Sequence, residues 1–61
     1  MKVIAVDNYN RENISDFLYL DGLSEDTAKE VANRLNAKAG QGAERFYKAV
    51  TEDYQLYKFE P

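Results

Sequence analysis

Cysteine, histidine and tryptophan are absent from this 61-residue chain, and proline occurs once. Without cysteine or histidine there is no disulfide, no thiolate nucleophile, no imidazole base and no common zinc site. No apolar run approaches the roughly 20 residues of a membrane-spanning helix, and the opening MKVIAV is too short for a signal peptide. Asn13-Ile14-Ser15 fits a glycosylation sequon, but without a secretion signal it reads as chance. The expectation is a soluble, cytoplasmic protein. The same absences set an energetic problem. A chain of this length buries roughly 60% of its unfolded surface, so burial and chain entropy nearly cancel. With disulfides and zinc excluded, good packing or self-association must supply the stability.

What is present begins with charge, −3 overall and unevenly spread. Residues 1–26 set Lys2 and Arg11 against Asp7, Glu12, Asp16, Asp21, Glu25 and Asp26, a net −4. Residues 27–48 carry a net +3, and the last thirteen return to −2. An acidic chain is repelled by phosphates, which disfavours nucleic-acid binding. The asymmetry favours charge matching between copies or with a partner.

The clearest periodicity lies in Ser24–Ala39, where Ala28, Val31, Ala32, Leu35 and Ala39 mark one narrow helical stripe. Three of the five are alanines, so this helix can lie very close to the surface it covers. Ser24 suits the N-cap, Glu25 and Asp26 the first turn, and Glu30–Arg34 is a favourable i,i+4 pair. Leu23 can staple onto Ala28, and Gly40-Gln41-Gly42 ends the helix through a glycine at positive φ. Lys2–Tyr9 opens with β-branched residues and reads as a strand running into Asp/Asn turn chemistry. Ile14–Leu20 alternates and reads as a second strand, forming a hairpin with the first. Glu44–Thr51 and Tyr54–Phe59 read as two more strands, joined by a tight turn at Glu52-Asp53. The predicted fold is α+β: ββαββ, a four-stranded antiparallel sheet with one helix, about 24–39, on one face of a single domain, 1–61.

Three stretches, VDNYNRENISD, LSEDTAKEVANRLN and DYQLYKFEP, together resemble small uncharacterised bacterial and phage-type proteins of about this length. The resemblance covers nearly the whole chain, and its motifs are not catalytic. It implies the order of elements and a bacterial or phage source, and it implies no activity and no cofactor.

Several constellations bear on function. Asp7, Asp16 and Asp21 are the acidic residues that would hold a divalent cation or act as acid and base if one end of the hairpin gathered them. Their spacing matches no calcium loop, and turn-forming roles explain them as well. An acidic mimic of nucleic acid is a further reading, opposed by the modest charge and the basic 27–48 stretch. Gly40-Gln41-Gly42 follows a helix instead of preceding one, so it is a helix stop and not a phosphate cradle. In the loop after the first strand, Tyr9 and Arg11 are residue types enriched at binding hot spots.

The eight aromatics carry the strongest signal. Phe17 and Tyr19 oppose Leu18 and Leu20, and both faces of the C-terminal segment hold large rings. One short helix covers one side of a sheet, so the other side is expected to expose several hundred Å² of apolar surface, which marks an interaction site. The functional expectation is therefore a non-enzymatic protein-interaction module, a homodimer or a docking unit for another protein. Small size, acidic charge and the source implied by the resemblance together suggest a phage or prophage accessory, or a protein that binds and blocks a host enzyme. Its partner-binding residues are expected to be Tyr9, Arg11, Phe17, Tyr19, Phe46, Tyr57 and Phe59, with no catalytic residue, cofactor, nucleic acid or membrane.

Overall fold

The computed structural model describes residues 1–60. Three strands and one helix form in the order β1 (Lys2–Asp7), β2 (Phe17–Leu20), α1 (Glu25–Ala39) and β3 (Arg45–Val50). The strands make one antiparallel sheet ordered β2-β1-β3, with the helix packed on β1 and β3. The class is thus α+β, and no helix of the described residues is long and apolar enough to cross a membrane.

β1 is central because its sequence is apolar on both faces, as a strand covered from both sides must be. Val3, Ile4 and Ala5 are all fully buried, although Ile4 points away from the side that Val3 and Ala5 share. β3 runs beside it in unbroken register from Lys2–Val50 to Asp7–Arg45. On the other side β2 pairs Val3 with Leu20 but Ile4 with Leu18. Tyr19 is therefore an extra residue, a bulge that re-aims the strand.

The helix behaves as its stripe predicts. Ala28 and Ala32 bury themselves against Val3, with Leu23, Val31 and Leu35 packed around them. Ser24 is the N-cap, its Oγ accepting from the Thr27 backbone N–H at 3.3 Å, and Gly40 ends the helix at φ +82°. The Glu30–Arg34 pair forms at 2.7 Å, joined by Glu25–Lys29 at 2.8 Å.

Two expectations about the sheet are corrected. The second strand is shorter than Ile14–Leu20, because Ser15 and Asp16 bond the C-terminal segment instead of β1. The fourth strand expected over Tyr54–Phe59 does not form, so the order is ββαβ followed by an extended segment. The position a fourth strand would take beside β3 is already occupied. Asn36, on the helix, donates from Nδ2 to the Tyr47 carbonyl at 2.7 Å and accepts from the Tyr47 N–H at 2.8 Å. One side-chain amide thereby does what a neighbouring strand would do.

The chain instead turns at Thr51–Tyr54 and crosses the face opposite the helix. Lys48 Nζ sits 4.9 Å from the centre of the Tyr54 ring. The Tyr57 carbonyl accepts from the Asp16 N–H at 2.8 Å, while the Tyr57 N–H donates to Asp16 Oδ2 at 2.8 Å. Phe59 N–H donates to Ser15 Oγ at 2.9 Å, and the Tyr57 hydroxyl reaches the Glu12 carbonyl. The helix-free face expected to be bare is therefore crossed by residues 51–60, on the side of the sheet where Ile4 and Val50 are buried.

Candidate functional site

Exposed apolar side chains run along the edge strand β2, and Tyr57 and Phe59 are exposed on the segment that crosses the open face. Phe17, Leu18, Tyr19 and Leu20 make up the whole of β2, and each is between 42% and 47% exposed. Two facts of the fold leave them uncovered. The helix sits over β1 and β3 without approaching β2, and β2 is the outermost strand. Beyond its pairing with β1, no main-chain group of residues 17–20 bonds another backbone or side-chain group of the described residues. An edge strand of this kind is a template for a further strand.

Side chains from inside the molecule steady this strand. Tyr19 meets Tyr47 edge to face, with ring centres 5.5 Å apart and planes at 78°, a preferred aromatic geometry. Arg45 reaches across β1 to lie 5.0 Å from the centre of the Phe17 ring, and donates to the Ser15 carbonyl at 2.7 Å. Tyr57 and Phe59 are also exposed, on the segment bonded to Ser15 and Asp16 just before β2. Four of the expected partner-binding residues, Phe17, Tyr19, Tyr57 and Phe59, thus belong to one neighbourhood.

The other three lie elsewhere. Tyr9 and Arg11 share the loop after β1, with the guanidinium 5.4 Å from the ring centre. The Tyr9 hydroxyl donates to the Gly42 carbonyl at 2.9 Å, and Asn8 Nδ2 to the Ala43 carbonyl at 2.9 Å, tying the loop to the turn before β3. Phe46 is exposed on β3, at the opposite edge of the sheet. Leu18 and Leu20 belong to the site although the aromatic signal passed over them. The clue to them was that Phe17–Leu20 has no polar member on either face.

Asp7 is the buried polar residue, at 7% exposure. Arg11 holds it with Nη2 at 2.6 Å from Oδ1, Nε at 3.0 Å from Oδ2, and its backbone N–H at 2.6 Å from Oδ2. These hydrogen bonds lower the Asp7 pKa from 3.8 to about 2. The pair borders a cleft of about 440 Å³, between the loop and the C-terminal segment, also lined by Val6, Asp16, Lys48 and Tyr57. Its charged groups are mostly spoken for: Asp7 by Arg11, Asp16 by Tyr57, Lys48 by the Tyr54 ring.

Asp7, Asp16 and Asp21 are not brought together. Asp7 and Asp16 border the same cleft, but Asp21 stands beyond the far end of β2. The five steps from Asp16 to Asp21 span roughly 16 Å of extended chain. Among the described residues no three acidic groups are gathered as a metal would require. Comparison with protein-family models, with curated proteins and with solved structures finds no match to this chain.

Proposed function

We propose that this chain is a non-enzymatic protein-interaction module that docks through the outer edge of β2, on a second copy or on another protein. One observation carries the reading: four consecutive apolar residues, all more than 40% exposed, form an edge strand with no further backbone partner among the described residues. Singly exposed leucines are ordinary, whereas a contiguous apolar patch on an open edge costs solubility and risks aggregation unless it has an occupant. Exposed Tyr57 and Phe59 lie nearby, on the segment bonded to Ser15 and Asp16 just before β2, whereas Tyr9, Arg11 and Phe46 lie away from this edge and are not part of the docking strand. The sequence resemblance supports a bacterial or phage setting, with a host enzyme as the protein bound.

Replacing Leu18 by lysine tests this reading, because the side chain is exposed and a charge on an edge strand discourages pairing. The variant is expected to keep the wild-type circular dichroism and melting temperature. It is also expected to lose the association shown by the wild type, measured by sedimentation velocity and by retention of proteins from a bacterial lysate. If both forms remain monomeric up to about 1 mM, the weak end of the affinity scale, and retain the same proteins, β2 is not an interaction site.

A further inference from the structure

The charge around β2 narrows what it can accept. From Glu12 to Asp26 the chain carries Glu12, Asp16, Asp21, Glu25 and Asp26 and no lysine or arginine. Asp16 and Asp21 stand immediately outside the two ends of the strand. Two cations do reach this region: Arg45 from the inner side, across β1 and onto the Phe17 ring, and Lys58 on the C-terminal segment, between Tyr57 and Phe59, which bond Asp16 and Ser15. Lys29 is bonded to Glu25 at 2.8 Å. β2 is therefore an apolar strip with an aspartate just outside each end, of which Asp16 already accepts from the Tyr57 N–H.

Pairing of β2 with its own copy, antiparallel about a two-fold axis, brings the Asp16 end of one chain beside the Asp21 end of the other. Both ends of the new ladder then hold clustered carboxylates, and like charges facing across strands are destabilising. The second edge of the sheet offers no alternative route for a copy at its middle, since Asn36 already takes both main-chain groups of Tyr47. A strand with an apolar middle and lysine or arginine at its ends has the opposite balance. Its backbone completes the ladder, its side chains lie against Phe17–Leu20, and its cations face Asp16 and Asp21.

We infer that β2 recruits a basic-flanked β-strand of another protein by strand addition, in preference to a second copy of this chain. The inference rests on the interaction reading above and names the partner's chemistry. In strand addition the main-chain bonds supply affinity while side chains select the partner, and here the selection is largely by charge at the two ends.

The test uses the full chain, labelled with ¹⁵N, and two synthetic peptides. Each has a five-residue alternating valine and threonine core, flanked at both ends by two lysines in one peptide and by two glutamates in the other. The lysine peptide is expected to shift the amide signals of Phe17–Leu20 saturably and to bind on the order of tenfold more tightly, since exposed charge pairs give a few-fold each. Combining Asp16→Asn with Asp21→Asn should bring the two peptides within about threefold, and the asparagine oxygen at 16 still accepts from the Tyr57 N–H. Equal binding of both peptides to the wild type would overturn the charge selection while leaving β2 a docking strand. Silence of the β2 amides with both peptides would overturn strand addition. Dilution then separates the remaining cases: concentration-dependent shifts confined to β2 make a second copy the occupant, and their absence removes the interaction reading too.

Discussion

At Asp7 a nearly buried carboxylate is held by three donor atoms of one arginine four residues ahead. The spacing is that of a helical ion pair, yet the chain there is a loop. Asn10 adopts φ +54°, a conformation asparagine tolerates better than most residues, and so returns Arg11 to Asp7. Because the folded pKa of Asp7 is lowered to about 2, the folded state binds its proton less readily than the unfolded chain. The stability it contributes is complete above about pH 4 and is lost as pH falls toward about 2. Asp7→Asn should therefore lower the urea midpoint at pH 7 and flatten the loss of stability on acidification. Glu25 beside Lys29, and Asp53 beside Thr51, are also lowered and leave a residual slope. An unchanged acid limb in the variant would show that Arg11 does not hold this carboxylate in solution. From the sequence, Asp7 was legible as a turn residue and Arg11 as a contact residue, but not their union. That union depends on one backbone angle in a loop without periodicity.

Among the elements, α1 does two jobs with two faces. Its alanines let it lie close on Val3, and its Asn36 closes the outer edge of β3 at Tyr47. Asn36→Ala would leave a partly buried N–H and carbonyl without their partner, an expected loss of about 1–3 kcal/mol in urea unfolding. Part of the β3 edge would also be opened to other chains. No change in stability would mean that water replaces the amide without penalty. The helix itself was legible almost to the residue, because a 3.6-residue period, an N-cap serine and a stop glycine are local signals. The edge-capping role was not. Asn36 follows Leu35 directly and falls beside the apolar stripe, where a polar residue ordinarily needs no partner but water.

Over the whole molecule, dimensions of 34 × 27 × 12 Å describe a thin slab, with little interior to hide apolar groups. One side of the sheet is covered by the helix and the other is crossed by residues 51–60. That segment is held by main-chain bonds and by Asp16, Ser15 and the Tyr54 ring instead of by a strand ladder. Truncation after Asp53 should expose Ile4 and Val50, raise the fluorescence of an apolar dye, and lower the melting temperature. If the truncated chain melts like the full one and binds no dye, the segment is not the cover of that face. Exposed apolar groups lie along the edge strand β2 and on Tyr57 and Phe59 of the segment that crosses the open face. Both ISDFLYL and the C-terminal segment are apolar on two faces. Alternation alone does not distinguish a strand buried in the middle from one standing at the rim, or from a strap lying across.

The order of the first strands and the helix, the caps, the alanine contact and the exclusion of thiol and imidazole chemistry were fixed by local pattern and composition alone. Which strand became central, which edge was capped and where the last ten residues lay were decided only in three dimensions. These choices depend on competition between distant groups for the same backbone partners. Asn36 took the place beside Tyr47, the C-terminal segment took the open face, and β2 was left at the rim with its apolar residues turned toward water.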